Sequence, residues 1–424
     1  MNEKLLHFIW KFRLFHTDGL VTTQGEAVEI IHSGTYNTDA GADFQNAKIK
    51  IGETLWAGNI EMHVQSKDWF VHKHETDAAY NNVILHVVYE ANGNTAHTKS
   101  GEPIATLELK NRINTSLLSR YEELEKQQSW IPCAKFFPKV DDFTRKNFLE
   151  RLLIERLESK VTQIETLLKE SGNDWENVMF QMLARYLGAG INKEPFELLA
   201  KNLPVNIWGK HIHEPHQIEA MVFGVAGMLD EDFDDEYPKQ LRREFLYLKR
   251  LHNLVPLPKH VWKFLRLRPA NFPSIRLAQL AALMCFDAKL FSQVMEAKTG
   301  KSIHRIFDSD VVDYWHTHYR FDKPTKQAKS HLGTGMKNTL LINAVAPMLF
   351  AYGKYKDNET YCDRAFALLE TCEAESNSII TGWKKMNLTG NNASETQAML
   401  QLKKQYCDQF RCLDCAIGHK ILQS

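Results

Sequence analysis

The sequence predicts an α+β protein: a mixed sheet built in the order helix-β-β-β-helix-β, followed by a large all-helical domain. Three observations carry this. Residues 3–16 place Leu5, Leu6, Phe8, Ile9, Phe12 and Phe15 at helical spacing. Short runs rich in valine and isoleucine then alternate with turn residues up to about residue 110. Beyond residue 140 apolar residues recur with the period of a helix. The change of character follows WIPCAKFFPKVDD (130–142), whose two prolines mark a linker, and divides the chain into 1–137 and 138–424.

After the opening helix, AVEIIHSG (27–34) reads as a strand ended by Gly34, and TYNTDAGAD (35–43) as turn-rich. Two further strands follow at roughly 43–51 and 55–63, within GADFQNAKIKIGETLWAGNIEMHVQSKDW. SKDWFVHKHETDAAYNN (66–82) reads as a loop leading into a short helix. NVILHVVYE (82–90) is almost continuously apolar, as expected of a strand buried on both faces, and IATLELK (104–110) is one more strand. In the second domain, FTRKNFLERLLIERLESKVTQIETLLKE (143–170) combines helical periodicity with charge pairs at i,i+4. The acidic run LDEDFDDEYP (229–238) is expected as an exposed loop, because clustered like charge stays solvated.

Composition excludes several classes. Fifty-two basic and 52 acidic side chains balance, so no global field draws the chain to nucleic acid, although a local basic groove stays compatible. MNEKLLHFIWKFRLFH lacks the apolar core and cleavage site of a signal peptide. No apolar run approaches the roughly 20 residues that span a bilayer, so no membrane partner is expected. Seven cysteines without a secreted-scaffold spacing fit reduced thiols in a cytoplasm. Nothing matches a phosphate-binding loop, a dinucleotide fingerprint or a nucleophile elbow.

The strands at 43–51 and 55–63 hold the chemistry. Joined by the loop Gly52-Glu53-Thr54, they pair Ile51 with Leu55, Ile49 with Ala57, Ala47 with Asn59, Gln45 with Glu61 and Asp43 with His63. That register gathers Asp43, Glu61 and His63 on one face, whereas a two-residue turn sets Asp43 on the face opposite Glu61. Two partly buried carboxylates repel unless a cation or proton lies between them. Oxygen ligands suit Mg²⁺ or Mn²⁺, which acidify water and stabilise charge on a phosphate. His63 is then either the group that activates the water or a ligand itself.

Helix-β-β-β-helix-β with an acid on the second strand and an acid-x-basic motif on the third resembles the PD-(D/E)XK nuclease superfamily over roughly residues 3–90. The resemblance implies a restriction-endonuclease-like sheet and metal-dependent cleavage of nucleic acid. It makes Asp43 and Glu61 metal ligands and puts His63 where the superfamily usually has lysine, a departure that alters the chemistry. It also points to His7 on the first helix as a ligand, and to Asp77 and Tyr80 as polar residues beside the site. Over its full length the chain resembles a bacterial family of conserved proteins with a domain of unknown function, through NAKIKIGETLWAGNIEMHVQSKDWFVHKH, AYNNVILHVVYE, RLRPANFPSIRLAQLA and RCLDCAIG.

Two other groups compete. His72 and His74, as His-x-His on an extended segment with Asp77 nearby, suit a zinc hydrolase with water in the fourth place. His86, inside VILHVVYE, is expected as a core histidine. Cys407, Cys412 and Cys415 have C-x4-C-x2-C spacing, with His419 four residues on. If helical, Cys412, Cys415 and His419 share a face, and the set closes a zinc site. With Cys133 as fourth ligand it holds an iron–sulfur cluster, loosely similar to certain helicase-associated and CRISPR-associated nucleases. Three reduced cysteines on a buried terminal helix remain the plain alternative. Arg266, Arg268 and Arg276, around Pro269 and Pro273, suit either phosphate contacts or pairing within the helical domain. The expected function is a divalent-metal-dependent nuclease or phosphodiesterase acting on nucleic acid; an inactive nuclease-fold scaffold and the zinc hydrolase are the alternatives.

Overall fold

The structure, a computed structural model, describes residues 1–38, 40–286 and 288–423. It is α+β, and its chain forms two compact units: Met1–Phe148 with Leu402–Ser424, and Leu149–Gln401. The division at 137/138 read from the sequence precedes the first of these breaks, and the Cys-rich segment groups with the sheet rather than with the helices.

The first unit opens with α1 (Glu3–Lys11), started by the Asn2 side chain accepting from Leu5 N at 2.9 Å. The helix buries Leu5, Leu6, Ile9 and Trp10. It stops short of the expected residue 16 because Arg13 turns left-handed (φ 51°), and Leu14 N closes on Ile9 O at 2.9 Å. Phe15 instead bridges to Ile113.

Seven strands follow: β1 (Leu20–Val21), β2 (Ala27–His32), β3 (Thr35–Tyr36), β4 (Phe44–Ile51), β5 (Thr54–Gln65), β6 (Val83–Glu90) and β7 (Ala105–Glu108). The sheet runs β1-β2-β4-β5-β6-β7, with β3 also on β4. β2, β4 and β5 are antiparallel neighbours, whereas β6 is parallel to both β5 and β7. That central parallel position is why β6 reads as a near-continuous apolar run. The two-residue strands β1 and β3 had no counterpart in the sequence reading, being too short to show an alternation. Between β5 and β6 lie α2 (Asp68–Val71) and two single 3-10 turns, His74–Thr76 and Ala78–Tyr80. Trp69, fully buried, packs there with Ala42, Val83, Ala96 and Ile104, and its indole donates to His97 O at 3.1 Å.

The second unit is mainly helical, and the long helix Asp142–Glu170 appears as expected. Its core is lined by Trp175–Leu187, Pro215–Val225 and Pro273–Phe286, which are buried nearly all round. It is not all-helical: His318–Arg320 and Lys323–Pro324 form a two-stranded ribbon. The acids of 229–238 are largely exposed, although Glu236 to Pro238 already belong to the next helix. Arg276 is buried and donates to Gln279 Oε1 and Asn271 Oδ1, both at 2.7 Å, so its role is internal pairing. Among the described residues no helix is long and apolar enough to cross a membrane.

Candidate metal centre

The hairpin reaches its acidic end by a different route from the one the sequence suggested. Its turn has two residues, Gly52 and Glu53, so Ile51 pairs with Thr54, Ile49 with Trp56 and Ala47 with Gly58. Taken alone, that turn would leave Asp43 and Glu61 on opposite faces. A bulge between Phe44 and Ala47, with Asn46 left-handed at φ 58°, inserts one residue and brings Phe44 opposite Ile60. Asp43 therefore arrives beside Glu61 after all. Its backbone N donates to Glu61 Oε2 at 3.2 Å, and its Oδ2 accepts from Met62 N at 3.0 Å.

Around this pair the structure gathers imidazoles. His7, from α1, places Nε2 3.2 Å from Asp43 Oδ2. His74 Nε2 lies 3.1 Å from Glu61 Oε1, and His63 Nε2 lies 3.8 Å from the same oxygen. His63 Nε2 is also 3.1 Å from His72 Nδ1, while His63 Nδ1 meets His86 Nε2 at 2.9 Å. His72 and His74 do not sit on an extended segment. His72 ends α2, Lys73 turns left-handed at φ 61°, and His74 opens a 3-10 turn, which folds both rings back over His63. Ligand-capable nitrogens of His63, His72 and His74 all lie within 4.8 Å of one another.

Burial sets the protonation states. His63 is about 1% exposed; desolvation, reinforced by the neighbouring imidazoles, holds its pKa down to about 2. Burial likewise lowers His86 to about 3. Both are neutral near pH 7, which is the metal-binding form of imidazole. Glu61 is raised, first by desolvation and then by Asp43, with its contact to His74 opposing the rise. Tyr80 is pushed up to about 12, chiefly by burial, and its ring lies 3.8 Å from that of His74.

Among the described residues, His63, His72 and His74 are one of the groups that could hold a metal ion. His74 Nε2 lies 3.1 Å from Glu61 Oε1 and His7 Nε2 3.2 Å from Asp43 Oδ2, so imidazole nitrogens and carboxylate oxygens alternate around the centre. Two nitrogens each ~2.0–2.1 Å from one ion stand ~2.9–3.4 Å apart across tetrahedral or octahedral angles, and His63 Nε2 and His72 Nδ1 stand at 3.1 Å. The donor set is nitrogen-rich, which suits manganese or zinc better than magnesium.

A family model described as a protein of unknown function (DUF2851) matches residues 3–378. The chain belongs to the DUF2851 family. No curated protein and no solved structure matches it. The DUF2851 match spans every residue of the centre and Cys133, and ends before Cys407.

Of the residues singled out in this DUF2851 sequence, His7, Asp43, Glu61, His63, His72, His74 and Tyr80 come together. Asp77 is exposed and spends Oδ1 on Ala79 N at 2.9 Å, capping the turn that carries Tyr80. His86 is the buried core histidine expected from the sequence; because β6 runs parallel to β5 with His86 level with Glu61, it also reaches His63 at the centre, which the sequence analysis did not foresee. At the other end of the chain, Cys412 opens a 3-10 turn, Cys415 is extended and the last helix starts at Ala416. The single helical face expected for Cys412, Cys415 and His419 does not form. His419 Nε2 instead contacts Leu413 O at 2.5 Å, with its ring 4.9 Å from Phe8 and 4.8 Å from Phe12.

Proposed function

We propose that the chain is a divalent-metal-dependent phosphodiesterase acting on nucleic acid, with His63, His72, His74 and Glu61 as ligands and manganese or zinc as the ion. The observation that carries this is the convergence of three imidazole nitrogens within 4.8 Å, with Glu61 Oε1 3.1 Å from His74 Nε2. A divalent ion supplies acidified water and stabilisation of charge developing on a phosphate.

The protein's own groups divide the remaining work. His63 is a ligand rather than the base, because an imidazole held near a pKa of 2 takes up no proton at neutral pH. His86 would fix its tautomer: with His63 Nδ1–H donating to His86 Nε2, Nε2 would be left as the nitrogen that could hold the ion. Met62 N holds Asp43 Oδ2 in place, and Asp43 with His7 forms the polar side that orients the attacking water. The nucleic-acid substrate class rests on the likeness to PD-(D/E)XK nucleases, namely Asp43 immediately before β4 and Glu61-x-His63 on β5, in a sheet antiparallel on one side and parallel on the other.

The test is cleavage of end-labelled single- and double-stranded DNA and RNA by protein loaded with Mn²⁺ or Zn²⁺. Cleavage abolished by Glu61→Gln is expected. No cleavage of any substrate by protein shown to hold the ion, or undiminished cleavage by the variant, would overturn the proposal.

A further inference from the structure

Four cysteines take no part in this centre. Cys133 lies in a turn closed by Phe136 N and Phe137 N on its carbonyl, at 2.9 and 2.8 Å. Cys407 ends the widened helical stretch Leu402–Cys407. Cys412 and Cys415 flank the next 3-10 turn. The segments are far apart in sequence yet meet in space. Cys133 lies within electrostatic reach of Cys415 and Cys412, and Cys407 within reach of Cys133, Cys415 and Cys412. Other contacts support this convergence: Lys403 Nζ sits 5.2 Å from the centroid of the Trp130 ring. A Cβ on Gly418 would come 2.1 Å from Cys412 O, so the last helix presses directly on the cysteine turn.

We propose that Cys133, Cys407, Cys412 and Cys415 are the four thiolate ligands of an iron–sulfur cluster that ties the C-terminal segment to the sheet-bearing unit. Three of the four, Cys133, Cys407 and Cys415, are at most 8% exposed. Four neighbouring thiolates coexist there only around a cationic centre. Spacing chooses the centre. Four thiolates around one zinc stand ~3.8 Å apart at zinc–sulfur bonds of ~2.3 Å. Among the described residues, the groups of three whose ligand atoms all lie within 4.8 Å do not include these sulfurs. The wider spread suits several irons bridged by sulfide. The cysteine turn also packs against α1, which carries His7, so the cluster props one wall of the metal centre.

Full-length protein purified without oxygen should carry about four iron and four sulfide per chain, the content of one [4Fe–4S] cluster, with broad visible absorption that bleaches on reduction. Cys412→Ser and Cys133→Ser should each lose the iron, whereas Cys285→Ser should keep it. Zinc in place of iron, no metal, or iron surviving Cys412→Ser would overturn the proposal. Should the serine variants fail to fold, the wild type still decides. Alkylation with iodoacetamide should spare these four cysteines in the iron-loaded protein and modify them once iron is stripped by oxidation and chelation. Equal modification in both states would overturn it.

Discussion

His86→Phe isolates the tautomer argument. The phenyl ring is somewhat larger than the fully buried imidazole it replaces, so folding is measured alongside, and it removes the 2.9 Å bond between His63 Nδ1 and His86 Nε2 at the centre. His63 Nδ1–H is then left without an acceptor, and nothing holds Nε2 toward the ion. Losing such a supporting partner weakens metal binding by roughly 10- to 100-fold, or about 1.4–2.7 kcal/mol. The stranded donor costs the fold about 1–3 kcal/mol, offset in part because His86 Nδ1, itself buried without a partner, goes as well. Calorimetric titration of Mn²⁺ into stripped protein measures the first quantity, and thermal denaturation the second. A dissociation constant within twofold of wild type, in a folded variant, would refute the assignment of His63 Nε2 as a ligand.

Other outcomes follow from the same geometry. Asp43→Asn keeps an acceptor for Met62 N but loses the charge, and cleavage should fall roughly 100-fold or more, as loss of several kcal/mol of charge stabilisation implies; single-turnover rates check it. Gly58→Ala, on β5, would bring a Cβ within 2.6 Å of Asn82 O and 2.5 Å of Ile84 Cγ2, and should lower stability by about 1–3 kcal/mol in urea titrations. In the helical unit, Glu219 is buried, accepts from Tyr237 Oη at 2.5 Å, and has its carboxyl pushed up to about 7 by desolvation. Since the folded state binds the proton more tightly than the unfolded chain, this contribution is complete below about pH 4.5 and lost as pH rises toward 7. Glu219→Gln should flatten that fall by about 3 kcal/mol, seen as a smaller difference between denaturation at pH 5 and pH 8; an unchanged difference would contradict it.

Much of the fold was readable because the decisive signals are local. β6 announced its two-sided burial through a run of valines and leucine, and the long helix at 142–170 through its period. The centre was readable in its membership but not in its geometry. The hairpin register failed because apolar matching near the turn favoured Ile51 against Leu55, while the chain uses a shorter turn and recovers the offset with a bulge at Asn46. A bulge leaves no periodic mark, and asparagine's tolerance of the left-handed region is its only trace. His86 was legible as a core histidine, but its bond to His63 depends on which strand lies beside β5, a long-range fact. His72 and His74 were visible as a pair, but their fold-back over His63 depends on one left-handed lysine.

Calorimetric titration of Mn²⁺ and Zn²⁺ into stripped full-length protein, beside His74→Ala and Glu61→Gln, tests the centre most directly. One ion per chain bound by the wild type, weakened at least tenfold in both variants whose folding is intact, is the result this geometry predicts. Binding that ignores both substitutions, or no binding at all, would contradict it.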